Sequence, residues 1–127
     1  MRQDAYKKII DNYIKAYNEF DIESMMRDMH DDVLFENISN GEVTLITHGI
    51  AELRSQAEQA IEYLREREQK ITSITFGSDE VEVDIDYTGV LAIDLPDGSK
   101  AGNKIELHGK SISKFKDGKI IELHDIS

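Results

Sequence analysis

The 127-residue chain contains no cysteine, only one proline and no long apolar run. Without cysteine there is no disulfide framework, no thiolate metal site and no cysteine nucleophile. A reducing compartment suits such a chain, and a cytoplasmic location is the expectation. No stretch approaches the ~20 apolar residues that span a bilayer. The start, Met1 to Asp4, is polar and lacks the apolar segment of a signal peptide. Positive charge is also scarce: 15 Lys and Arg stand against 26 Asp and Glu, a formal net charge of −11. Such a surface repels phosphates, which argues against nucleic acids and anionic membranes as partners. The acidity serves solubility or offers a docking face to a basic partner. Motifs are missing too. There is no Gly-rich phosphate loop, no nucleophile elbow and no histidine pair spaced around a glutamate.

What remains is a clear order of elements. The length predicts one domain over residues 1–127 with a core of its own. Tyr6, Ile9, Ile10, Tyr13, Tyr17 and Phe20 recur at helical spacing in the first segment. Asp21 is placed to cap a second, shorter helix that buries Ile22, Met25, Met26 and Met29. Those methionines fill gaps in a core or form a pliable wall for an apolar ligand. Val33 to Ile38 predicts a short strand, which Ser39-Asn40-Gly41 breaks. A third helix follows Gly49, with Ile50, Leu53, Ala57, Ala60, Ile61 and Leu64 as its stripe and Arg54, Glu58, Glu62, Arg65, Glu66 and Arg67 as its solvated face. Four strands complete the chain: Ile71 to Phe76, an alternating run from Val81 to Leu95, Lys104 to Lys116, and Lys119 to Ser127 after the Asp117-Gly118 hairpin turn.

Strand parity then selects candidate site residues. Glu82, Asp84 and Asp86 share one strand face and pair with Lys104, Lys110 and Lys114 of its neighbour. Alternate residues lie roughly 6.5–7 Å apart, too far for this acidic row to hold a metal unaided. Ile105, Leu107, Gly109, Ser111, Ser113 and Phe115 point toward the helices, so two hydroxyls enter an apolar interior. There they satisfy backbone groups or meet a ligand. On the last strand Ile121 and Leu123 make the better inner face, because the alternative buries Glu122; Asp125 then turns inward. A carboxyl in an apolar pocket gains protons more readily, toward useful acid–base range. The other reading of Asp125 is a solvated strand end. Among the histidines, His30 reads as a helix cap and His48 as a loop residue. His108 and His124 lie on adjacent strands and would need Glu106 or Glu122 to complete a zinc site. No metal and no cofactor is expected.

The ending Asp117-Gly118-Lys119-Ile120-Ile121-Glu122-Leu123-His124-Asp125 resembles the "DGKI-x-E-x-W-D" close of the SnoaL-like branch of the nuclear transport factor 2-like superfamily, with His124 where tryptophan is usual. The order of elements resembles that family over nearly the whole chain. The resemblance implies an α+β, cystatin-like cone: three N-terminal helices packed on a curved mixed or antiparallel sheet that encloses a pocket. The opening, Tyr13-Ile14-x-Ala16-x-Asn18-x-x-Asp21-Ile22-Glu23 followed by Asp31-Asp32 and Glu36-Asn37, is similar to ketosteroid isomerases of the same superfamily. In them a tyrosine at the Tyr13 position donates to an oxyanion. Their general-base aspartate falls on Asn37 and their second donor near Ser111. An amide cannot shuttle a proton, so isomerisation by that mechanism is excluded.

SnoaL-like polyketide cyclases use a pocket aspartate for acid–base chemistry, and the resemblance carries that role to Asp125, with His124 as its rival. The implied ligand is a small apolar molecule bearing a carbonyl or hydroxyl. Tyr17, Met26, Phe35, Tyr87 and Phe115 would form its walls, and Asn37, Ser111 and Ser113 its polar contacts. Tyr13 would donate to its oxygen. Cofactor-independent cyclisation, isomerisation or dehydration would follow; a non-catalytic ligand-binding or dimerisation module is the alternative. The resemblance also implies a homodimer through the outer sheet face, where Thr88, Val90 and Ala92 fall.

Overall fold

The computed structural model describes residues 2–127; Met1 lies outside them. Helix α1 (Arg2–Asn18) and the short α2 (Ile22–Met26) precede a hairpin of β1 (Met29–Ser39) and β2 (Glu42–His48). Helix α3 (Ile50–Ile61) follows, then four strands: β3 (Leu64–Phe76), β4 (Glu80–Leu91), β5 (Lys104–Lys116) and β6 (Lys119–Ile126). The six strands form one sheet in the order β2-β1-β6-β5-β4-β3. Every neighbouring pair is antiparallel except β1 and β6, which run parallel. The sheet is mixed and open, and the helices cover one face. This is the expected α+β class.

Helix α1 forms because its apolar residues recur every three to four positions and so share one stripe. Tyr6 and Ile10 of that stripe are buried; Tyr13 and Tyr17, one and two turns further on, are only partly buried and border open space. The stripe thus runs from filled core into space. At the filled end the Tyr6 ring stacks on Phe115, with centroids 3.9 Å apart and planes 9° from parallel. Met29, Val33, Val81, Ile120 and Leu123 are the most deeply enclosed side chains. Asp21 caps α2 as expected, accepting from the Ser24 backbone N–H at 3.2 Å.

Several expectations need correction. Residues 42–48 form an extra strand, β2, in place of a loop; it is an edge strand with Val43 and Ile46 exposed, so its apolar alternation is weak. Helix α3 stops at Ile61, and Leu64, Arg65, Glu66 and Arg67 belong to β3. Strand β4 ends at Leu91, leaving Ala92 in the following loop, while Thr88 and Val90 remain within the strand. His30 caps no helix: it lies in β1, where its Nδ1 accepts the Asp32 backbone N–H at 3.0 Å. His48 likewise closes β2, its backbone N–H donating to Glu52 at 2.9 Å.

Register shifts interrupt the β1–β2, β1–β6, β3–β4 and β5–β6 pairings. Bulges of this kind bend a strand and increase its twist. The one in the last hairpin sets the site. Phe115 pairs with Ile120 and Lys114 with Glu122, so Ile121 is the extra residue. Ile120 and Leu123, three positions apart, therefore both point inward, and Asp125 follows Leu123 onto that face. The acidic row on the outer face pairs in part as expected. Lys110 lies 3.8 Å from Glu82, whereas Asp86 takes His108 as its partner at 2.6 Å. Lys104 and Lys114 reach Glu106 and Glu122 instead.

Candidate functional site

Three inward residues line up across the middle of the sheet. Asn37 of β1 sits opposite Asp125 of β6, and Asp125 sits opposite Ser111 of β5. Ser111 Oγ donates to Asp125 Oδ1 at 2.7 Å. Asn37 turns its amide toward β2, donating to Thr44 Oγ1 at 2.8 Å. Above this row the helices do not close on the sheet, and two hollows of about 270 Å³ each remain. Tyr17, Asn37 and Asp125 line both, so the hollows are two chambers divided by those side chains. The first opens between β4, β5 and the end of β6, past Tyr87, Gly109 and Ser111. The second lies under α3, bounded by Tyr13, Met25, Phe35, Leu53 and Arg67.

The polar atoms of the chambers feel their seclusion. Burial pushes the Asp125 carboxyl up from the usual aspartate range to about 6, although the Ser111 hydroxyl and the nearby His124 act in the opposite direction. Asp125 is partly buried: it borders both chambers, and the protein packed around its carboxyl accounts for the shift. Burial also raises the Tyr13 phenol well above its ordinary value, and the Asp125 charge adds to the effect. Tyr13 therefore stays a proton-bearing donor at any working pH. Tyr17 Oη lies 3.4 Å from Tyr87 Oη, and burial raises the Tyr87 phenol as well.

His124, the rival to Asp125, faces the other side of the sheet. Its Nδ1 lies 2.8 Å from Glu36 and its Nε2 lies 2.9 Å from Glu122. Met26 and Phe115 line neither chamber. Met26 is buried in the core beside Met25, and Phe115 is taken up by the Tyr6 stack at the filled end. Ser113 touches only a void of about 10 Å³ under α1. Tyr13, Tyr17, Phe35, Asn37, Tyr87, Ser111 and Asp125 do come together around the chambers. Among the described residues no three His, Asp or Glu side chains converge as a metal cluster.

Sequence reading missed Arg67 and Gln69. Counted back from Ile71 in steps of two, both fall on the inner face of β3; the charges around them imitate a solvated helix instead. Gln69 is held by Asn18, whose side chain accepts its backbone N–H at 2.7 Å and donates to its carbonyl at 3.1 Å.

A SnoaL-like domain model matches residues 10–123. The chain belongs to the SnoaL-like family. Solved structures with the same fold include a candidate polyketide cyclase from Xanthomonas campestris pv. campestris, 18% identical over 100% of this chain and 93% of that one, with a TM-score of 0.85. A cystatin-fold protein from Novosphingobium aromaticivorans is 19% identical over 94% and 96% of the two chains, with a TM-score of 0.72. A nuclear transport factor 2-like protein of unknown function from Burkholderia pseudomallei is 12% identical over 95% and 88%, with a TM-score of 0.78. Such identities establish a shared fold. No curated protein sequence matches the chain. For this SnoaL-like protein the expected cone-type architecture therefore stands, and the fold by itself assigns no reaction.

Proposed function

We propose that this SnoaL-like protein binds a small apolar molecule bearing a carbonyl or hydroxyl and moves a proton on it, without a cofactor, in a cyclisation, isomerisation or dehydration. One observation carries the reading: a single carboxyl, Asp125, stands on the wall shared by both chambers with its proton affinity raised to about 6. A general base or acid works best when its pKa lies near the working pH. Its Ser111 bond fixes one oxygen and leaves the other for substrate. Tyr13, which borders the chamber under α3, supplies a donor for developing oxyanion charge. The similarity to a candidate polyketide cyclase agrees with this chemistry.

The test is solvent deuterium wash-in at the carbon beside the carbonyl of 2-tetralone, a bicyclic ketone with an acidic C–H. The protein should accelerate exchange beyond buffer. The rate should climb as Asp125 ionises and level off above its midpoint near pH 6. Asp125→Asn should abolish the acceleration. Tyr13→Phe should lower it about tenfold or more while changing stability by less than about 1 kcal/mol. Exchange no faster than buffer, or equally fast in Asp125→Asn, would rule out proton transfer by this carboxyl. Unfolding of Tyr13→Phe would make Tyr13 a core residue only.

A further inference from the structure

Arg67 is 6% exposed, yet no carboxylate lies within ion-pair distance of it among the described residues. Glu66 and Glu68, its neighbours in β3, are exposed on the opposite face. A buried guanidinium without a counter-charge carries a large desolvation cost. The protein offsets part of it with aromatic faces. The guanidinium carbon lies 3.7 Å from the Tyr17 ring centroid and 4.5 Å from that of Phe20. Phe20 adopts a left-handed backbone (φ 59°) in the turn after α1, a conformation that bulky residues rarely take.

The hydrogen bonds of Arg67 are also incomplete. Nε donates to the Tyr17 carbonyl at 2.8 Å, and Nη2 approaches only the Met25 sulfur, a weak acceptor, at 3.7 Å. Nη1 has no protein partner among the described residues. It is not sealed in either: the one fully enclosed side-chain atom there without a partner is Thr47 Oγ1. Arg67 lines the chamber under α3 together with Tyr13 and Asp125, and its inward side chain, stacked on Tyr17 and bonded to Met25, lies among the other residues of that wall.

We infer that this chamber receives an apolar organic anion, with a carboxylate or acidic enol oxygen seated on Arg67 and the apolar body directed toward Asp125. This rests on the reading of the hollow as a ligand site and adds the charge of its occupant. A planar fork of N–H groups matches two oxygens of one anion, and a dry aromatic setting strengthens the pairing. The apolar wall of Met25, Phe35, Leu53 and Ala57 selects for a hydrophobic body behind the charge. Arg67 acts here as a specificity residue whose missing counter-ion the ligand supplies.

The experiment compares 2-naphthoate with 2-naphthamide, one ring system with and without the negative charge, by calorimetric titration at physiological ionic strength and neutral pH. The wild-type protein should prefer naphthoate about tenfold or more. Arg67→Gln should weaken naphthoate binding by about tenfold more than naphthamide binding and so remove that preference, and Arg67→Lys should restore part of it. The wild-type comparison stands even if Arg67→Gln fails to fold, which thermal melts will reveal. Equal binding of the two probes by wild type would overturn the anion assignment and leave the ligand site intact. A parallel loss of both probes in a folded Arg67→Gln would reduce Arg67 to a wall residue and overturn it too. Absence of binding by either probe would overturn both the assignment and the ligand site beneath it.

Discussion

Replacing Asp125 with asparagine should make the protein more stable at neutral pH. The folded carboxyl binds its proton with a midpoint of about 6, against 3.8 for an ordinary aspartate. Between those pH values the native state holds more protons than the unfolded chain, so stability falls as pH rises through the window. Well below pH 4 both states are protonated and the cost vanishes. Above pH 6 it is fully present and amounts to about 3 kcal/mol, because each tenfold change in proton affinity is worth about 1.4 kcal/mol. Asparagine keeps the shape and can still accept from Ser111, but never ionises. Asp125→Asn should therefore raise Tm by about 10 °C at pH 7.5 and by almost nothing at about pH 3. A Tm lowered at both pH values would mean that the carboxyl is ordinary and the chamber wet. A gain in stability at the expense of proton transfer is the trade-off expected of a working site.

The second large effect should come from Gly109→Ala. A Cβ at this position would run into the Ile126 carbonyl oxygen, far inside contact distance, and would also lie 3.4 Å from the Ser127 Cα. These are backbone atoms at the end of β6, so no side chain can swing aside. Overpacking of this kind costs about 1–3 kcal/mol, and an obstruction made of backbone belongs at the upper end. The neighbouring residue pushed out of line is Asp125, so its titration should fall back toward the ordinary aspartate value. Denaturant melts and carboxyl NMR titration would measure the two effects together. Gly89→Ala is the comparison: its nearest neighbour is the Leu64 Cδ2 at 3.3 Å, a flexible side-chain end, and the loss should be smaller. Equal losses in the two variants would show that the fit at Gly109 is not special.

Much of this architecture is legible in the residues because burial enforces period. The stripe of α1, the cap at Asp21 and the inward row Ser111-Ser113-Phe115 all follow from one face being apolar and the other polar. The inward turn of Asp125 also follows, but only because the bulge at Ile121 lies before Leu123; one residue later it would have reversed the parity. Where the pattern is mixed, sequence reading fails. Strand β2 is exposed on an edge and lacks a clean alternation. Arg67 and Gln69 interrupt the inner face of β3 with polar groups, and their charged neighbours make the segment look like a helix surface. The least legible part of the candidate site is thus the part where polar side chains interrupt an otherwise apolar face.

The parallel pairing of β1 with β6 has a kinetic consequence. Asn37 meets Asp125 across it, and these residues are far apart along the chain. Hairpins such as β4–β5 can close locally and early, whereas this contact must wait for a long loop to be ordered. Ser111 and Asp125 meet within the local β5–β6 hairpin, so only the arrival of Asn37 beside them is expected to come late in folding, after the hairpins have closed.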